Sequence, residues 1–189
     1  MHIQLNDHIT INASAKKVWR VLAHDFSNIG QWASAIPSSK AVADLPVPEE
    51  AEVGGRVCST AVPGFSDIQE SFMYYDEQSM RFGYQATEGR PWFLKHAENH
   101  WVVRSLGPNA SLVETRAEID VSLFPGLFLA PLFKLQMGRV GAQSLEELKY
   151  YVERDQPHPR KLKAQQKHVK SLLNETPAES RQRKPRLQH

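Results

Sequence analysis

The chain opens on a regular alternation. Ile3, Leu5, Asp7, Ile9 and Ile11 fall on one side of residues 3–12, and Gln4, Asn6, His8, Thr10 and Asn12 on the other. That period of two is the mark of a half-buried strand. The period then changes. Ser14 stands where a helix N-cap would, ahead of a short helix with Ala15, Val18, Trp19 and Leu22 as its buried stripe. Ser27 reads as a second cap, before a short helix that carries Ile29 and Trp32 and ends at Pro37. Strand-like segments follow at about 40–45, 56–62, 67–75, 80–87, 95–106 and 110–123. Turn residues separate them at Pro46-Val47-Pro48, Pro63-Gly64, Asp76-Glu77-Gln78-Ser79 and Gly107-Pro108-Asn109. Consecutive strands joined by short turns pair antiparallel.

The last pattern is helical. Phe133, Met137, Val140, Ser144, Leu148 and Val152 recur at steps of three and four, so they share one face of a helix. Pro131 suits a first helical turn. The regular helix is therefore expected from about Ala130 to Arg154, with 127–129 as a lead-in. The sum is an α+β fold, a curved antiparallel sheet of about six or seven strands wrapped on one long C-terminal helix. A sheet gripping a single helix leaves a hollow between them, and that hollow is where function is expected.

Composition adds an asymmetry. Residues 156–189 hold nine Lys and Arg against Glu175 and Glu179, a net charge of +7. With +2 for the whole chain, residues 1–155 carry −5. An acidic body, 1–155, thus bears a basic extension, 156–189, whose Lys, Arg, Gln and Pro content predicts a mostly disordered tail. Leu162, Val169, Leu172 and Leu173 leave room in it for one short helix. No aromatic residue is interleaved with these charges, so stacking on bases, and a nucleic-acid partner, are not expected. Cys58 is the single cysteine, which fits a reducing compartment. The first residues lack a basic start and a long apolar run, and no apolar stretch is long enough to span a bilayer, so a cytoplasmic protein is expected.

Four stretches together resemble the helix-grip domains of the SRPBCC superfamily, which includes START, birch-pollen-allergen-type and polyketide cyclase/dehydrase-like proteins. They are Ala13-Ser14-Ala15-Lys16-Lys17-Val18-Trp19 with Trp32; Gly54-Gly55-Arg56; Glu70 with Tyr75-Asp76 and Met80-Arg81-Phe82-Gly83-Tyr84; and the terminal helix. The resemblance spans about residues 3–153. It implies a cavity for lipids, sterols, polyketides or isoprenoid-like molecules, in enzymes and plain carriers alike.

Within such a cavity Glu70 is the sharpest polar candidate. It shares a strand face with Ile68, Phe72 and Tyr74. Pointed inward, its carboxyl would be desolvated and able to act as a general acid or base. The alternative is that it pairs with Arg56 on the neighbouring strand. Tyr84 could donate to a ligand carbonyl or, as readily, pack as a core tyrosine. The expected lining is Trp19, Phe72, Tyr84, Asn99, Trp101, Val103, Thr115, Phe133, Met137, Val140 and Ser144. Glu114, Arg116 and Glu118 read as surface charge on the opposite face of their strand. Trp92 and Phe93, in the loop after Gly89, could rim the cavity mouth and touch a membrane. His96 and His100 lie four residues apart on a strand, about 13 Å, too far to share one ion. No metal site and no cofactor are expected. Two readings of function stand: a carrier or sensor of a small hydrophobic ligand, and a cyclase-like enzyme using Glu70 or Tyr84 for proton transfer.

Overall fold

The computed structural model describes residues 1–60 and 67–174, with side chains at all of these except 123–130, 171, 172 and 174. Seven strands form one antiparallel sheet: β1 (His2–Ile11), β2 (Ser38–Ala41), β3 (Gly55–Ser59), β4 (Ile68–Asp76), β5 (Arg81–Glu88), β6 (Leu94–Gly107) and β7 (Ala110–Val121). Their spatial order is β1-β7-β6-β5-β4-β3-β2. Only β1 leaves sequence order, crossing to pair with the last strand. Between β1 and β2 lie the helix α1 (Ala15–Trp19), a π turn over Arg20–His24 and a 3-10 helix over Phe26–Gln31. The long helix α2 (Leu123–Arg154) and a further helix, α3 (Pro159–Asn174), complete the described residues.

The alternation in β1 places Ile3 and Ile11 in the core and turns His2, Gln4, Asn6, His8 and Thr10 to solvent. Ser14 caps α1, its Oγ accepting from the Lys17 N–H at 3.3 Å. Ser27 does not cap. The second short helix begins at Phe26, and the Ser27 carbonyl instead accepts from the Ser39 hydroxyl at 2.7 Å. The strand expected over 40–45 lies earlier, at Ser38–Ala41, and β3 stops at Ser59. Val62 and the Pro63-Gly64 turn fall outside the described residues.

A bulge resets one face. The register of β4 against β5 shifts between Phe72 and Tyr74. Phe72 and Tyr75 therefore both pack inward, with Trp19, Phe26 and Phe82. Tyr74, expected on the inner face with Glu70, lies on the outer one, where it stacks on His100. Its ring sits over Gly83, where a Cβ would come within 2.5 Å of Tyr74 Cε1 and would have to displace the ring.

The C-terminal third departs from expectation at one point and meets it at another. α2 starts at Leu123 rather than near Ala130. The Ser122 N–H bonds the Phe93 carbonyl at 2.8 Å, and the chain turns from β7 straight into the helix. Pro131 sits inside α2, removing one backbone donor without ending it. The short helix that the sequence left room for in the extension is present, over 159–174. Arg160 spans Glu146 and Glu147 of α2, at 2.9 and 3.0 Å. The buried Lys161 ammonium donates to the Ile36 carbonyl at 2.6 Å. Burial pushes Lys161 down to about 8, against the opposing charge of Glu147. These contacts tie the start of α3 to α2 and to the segment after the 3-10 helix. Residues after Pro177 lie outside the described ones.

Candidate active site: a cavity under the long helix

The inner face of the sheet and α2 enclose a cavity of about 310 Å³. This is the low end of the about 300–1,000 Å³ range of small-molecule sites. α2 contributes Met137, Gly138, Val140, Gly141 and Ser144 to its wall. The 3-10 helix and the segment after it contribute Ile29, Trp32, Ala33, Ala35 and Ile36. The sheet contributes Leu5, Ile68, Ala117, Ile119 and Trp101, with polar Asp7, Arg56, Glu70, Tyr84, Asn99 and Thr115 among them. A Cβ added at Gly138 or Gly141 would meet nothing within 4 Å. These two glycines thin the helix where it faces the hollow.

The polar wall is organised around Arg56. Its guanidinium is buried, donates from Nε to Glu70 Oε2 at 2.6 Å and donates from Nη1 to the Phe26 carbonyl at 2.7 Å. It also lies over the Phe26 ring at 3.9 Å and the Tyr84 ring at 5.0 Å, a geometry in which the ring faces favour the cation. Burial alone would lower the pKa of Arg56. The charge of Glu70, helped by Cys58 and Tyr84, more than offsets it, and Arg56 is raised. Burial, and then the Glu70 charge, push the Tyr84 hydroxyl well above the ordinary tyrosine range. Cys58, 3.8 Å from Glu70 Oε2, is pushed up to about 12, burial prevailing over the pull of Arg56. Both groups therefore keep their protons at neutral pH. Tyr84 is set up to donate a hydrogen bond into the cavity.

Deeper in the wall the Thr115 hydroxyl donates to Asn99 Oδ1 at 2.9 Å. Apart from the Ser111 hydroxyl, which does not line the cavity, the buried groups without a well-formed hydrogen bond among the described residues are the Thr60 hydroxyl and the Trp101 indole N–H, the latter within weak reach of the Tyr84 hydroxyl. Buried polar atoms are nearly always paired in folded proteins. Both of these line the cavity, so both can serve an acceptor on a bound molecule.

Of the residues expected to line the hollow, Tyr84, Asn99, Trp101, Thr115, Met137, Val140 and Ser144 do so, and Glu70 joins them. Trp19, Phe72, Val103 and Phe133 do not. Trp19, Phe72 and Val103 fill the main core. Phe133 packs on Phe93, their ring centroids 6.2 Å apart, in a smaller cluster with Ile3, Leu94, Ile119 and Val121. Arg56, Trp32, Ile36 and the two helix glycines were not singled out as lining. Arg56 and Glu70 face each other in the β3–β4 register, which is the pairing the sequence offered as the alternative. In the loop before β6, Trp92 protrudes at 76% exposure, whereas Phe93 is tucked against Phe133.

Comparison with solved structures finds the same fold at low identity. The Zhui aromatase/cyclase from Streptomyces sp. R1128 aligns with a TM-score of 0.67 at 14% identity, over 82% of this chain and 95% of that one. A START superfamily protein from Mycobacterium smegmatis gives 0.58 at 17%, over 91% and 99%. A norcoclaurine synthase point mutant from Thalictrum flavum, in complex with a transition-state analogue, gives 0.57 at 18%, over 80% and 94%. These likenesses establish the helix-grip fold. No curated protein matches the chain. A family model described as "Polyketide cyclase / dehydrase and lipid transport" matches residues 2–153, most of the sequence, and the chain belongs to that family.

Proposed function

We propose that this protein binds one small hydrophobic molecule in the cavity under α2, as a carrier or sensor, the guest being lipid, polyketide or isoprenoid-like. The observation that carries the reading is a mostly apolar hollow of about 310 Å³ in whose wall Arg56 and Glu70 are already paired with each other. Apolar burial supplies affinity at about 25 cal/mol per Å² removed from water. Orientation comes from the polar wall: the Tyr84 hydroxyl and the weakly held Trp101 N–H beside it are donors, so the favoured guest carries an acceptor oxygen at one end. The test is organic extraction of protein purified natively, followed by mass spectrometry and by titration of the recovered compounds against intrinsic tryptophan fluorescence. A retained apolar compound that rebinds at one per chain supports the reading. Finding neither a retained nor a titratable apolar compound ends it.

A cyclase-like activity is the second reading. It is favoured by one observation, that Glu70, Arg56 and Tyr84 meet on the cavity wall. Tyr84 would then act as the hydrogen-bond donor or acid toward a carbonyl that becomes more basic during reaction. Unchanged turnover of a poly-β-keto substrate by Tyr84→Phe and Glu70→Gln would remove it. For delivery, the exposed Trp92 is proposed to touch membranes transiently. Trp92→Ala leaving vesicle binding unchanged would contradict that contact.

A further inference from the structure

The outer face of the sheet, turned away from α2, carries a second constellation of chemistry-bearing residues. His96, Glu98 and His100 alternate along β6, and a period of two puts all three on one face. Glu98 stands directly opposite Glu118 of β7. Like charges in that position destabilise an antiparallel pair, so positive charge is needed between or beside them. The protein supplies part of it. Glu98 accepts from His96 Nε2 at 2.7 Å and from His100 Nε2 at 3.0 Å, and Arg116 Nε lies 2.9 Å from Glu118 Oε1.

The geometry goes further than an ion-pair network requires. One donor atom from each of Glu98, His100 and Glu118 lies within 4.8 Å of the other two. A tetrahedral zinc site places its ligand atoms about 3.4 Å apart, given bonds of about 2.1 Å. Reaching that spacing takes a contraction of at most about 1.4 Å per pair. The three side chains are 18%, 17% and 23% exposed, shielded yet reachable. Of the three, His100 also lines a surface groove, with Tyr74, Arg81, Arg104, Glu114 and Arg116. The far nitrogen of His100 is also held: Nδ1 lies 3.0 Å from the Tyr74 hydroxyl. Metal-bound imidazoles characteristically have a partner on the other ring nitrogen, which fixes tautomer and ring orientation. It is the β4 bulge that turns Tyr74 outward to provide this contact.

We propose that Glu98, His100 and Glu118 form a binding site for a zinc ion, with Tyr74 and His96 as positioning residues. An imidazole among the ligands selects a transition metal over magnesium or calcium. His100 binds through Nε2, giving up its hydrogen bond to Glu98, and Nδ1–H then donates to the Tyr74 oxygen. Three protein ligands leave a coordination position for water. Although four residues apart on the strand, His96 and His100 both lean onto the Glu98 carboxylate, one at each oxygen, and His96 stays outside the three-residue cluster. The third ligand comes from the next strand, and only the β6–β7 register discloses it. The site is independent of the cavity and of any guest held there.

The experiment uses the full chain, stripped with chelator, titrated with zinc by calorimetry and with Co²⁺ followed by visible absorption. One zinc per chain, a tetrahedral or five-coordinate Co²⁺ spectrum, and at least tenfold weaker binding in both His100→Ala and Glu118→Gln are expected. His8→Ala, on the same face but outside the cluster, should bind as the parent does. Glu118→Gln removes the facing like charge, so its metal-free thermal stability should equal or exceed the parent's while the stabilisation by added zinc disappears. That second readout holds even if His100→Ala folds poorly. No saturable zinc binding overturns the proposal. So does binding that both variants leave intact, which would place the ion on other histidines, and so does a zinc-dependent stabilisation that persists in Glu118→Gln.

Discussion

The space between the sheet and its covering helices is solid at one end and hollow at the other, although the same strands floor both. At the solid end α1, the π turn and the 3-10 helix bring down Trp19, Leu22 and Phe26, which interlock with Phe72, Tyr75 and Phe82. At the hollow end the cover is the middle of α2 together with the segment from Ile29 to Ile36, and over the cavity α2 offers Gly138 and Gly141 beside Met137, Val140 and Ser144. The contrast teaches that the sheet does not decide where a guest can sit. The volume delivered by the covering element does, since protein interiors otherwise pack to crystal-like density. The boundary between the two ends is Arg56, stacked on Phe26 of the filled side and paired with Glu70 of the hollow side.

The comparison can be broken most severely at the filled end. Phe82→Ala removes a buried ring that touches Trp19, Phe26, Phe72, Tyr84 and Trp101. It is expected to lose about 3–5 kcal/mol of stability, read by urea unfolding. At the boundary, Arg56→Met leaves Glu70 facing the cavity without its cation. Breaking such a pair destabilises by about 3–5 kcal/mol, the lower figure applying here because Glu70 is partly exposed. Adding Glu70→Gln should recover most of the loss, and a double-mutant cycle measures it.

Glu77 sharpens the filled side through pH. It accepts from Trp19 Nε1 at 2.6 Å and from the Tyr75 hydroxyl at 2.8 Å, and it contacts His24 Nε2 at 3.1 Å. Burial would raise its pKa, but these hydrogen bonds more than offset that and hold it below the usual glutamate value. A folded-state pKa below the unfolded one contributes stability above the unfolded value, about 4.3, and loses it as pH falls through the folded one. Glu77→Ala, which strands the Trp19 N–H, should therefore be less stable than the parent by about 1–3 kcal/mol at pH 7. Thermal unfolding at falling pH should show the gap narrowing below about pH 4.

At the hollow end the effect on stability is the smallest and the effect on function the largest. Gly141→Leu grows into open space. It replaces a poor helix former by a good one, so stability should hold or rise by up to about 1 kcal/mol. Binding of an apolar guest should fall at least tenfold by fluorescence titration.

The filled half was the more legible in sequence, because repeating apolar positions report the side of an element they lie on. The alternations in β1 and β7 and the Phe133-to-Val152 stripe named the inward faces. They did not tell whether an inward residue meets a neighbour or a void. Trp19, Phe72 and Val103 were inward and are core; Phe133 was inward and serves a separate cluster with Phe93. The hollow is made by what is missing from Gly138, Gly141 and the small Ala33, Ala35 and Ala117, and absent side chains leave no periodic signal. The bulge at 72–74 hid for a related reason, since a strict period of two assigns Tyr74 to the wrong face. The Arg56–Glu70 pair was legible as an alternative once β3 and β4 were read as neighbours. The start of α2 was misjudged because proline weakens a helix interior without always ending it. The docking of α3 depends on Arg160 finding carboxylates on α2 and on Lys161 finding the Ile36 carbonyl far away in sequence.

The most direct measurement of the central claim is isothermal titration of the natively retained compound, or of an apolar analogue bearing one acceptor oxygen, into the parent protein and into a Gly138→Leu/Gly141→Leu double variant of equal or greater thermal stability. The account predicts saturable binding at one per chain in the parent and no measurable binding in the variant. Equal affinity in the two proteins would contradict it, by placing the guest somewhere other than beneath the long helix.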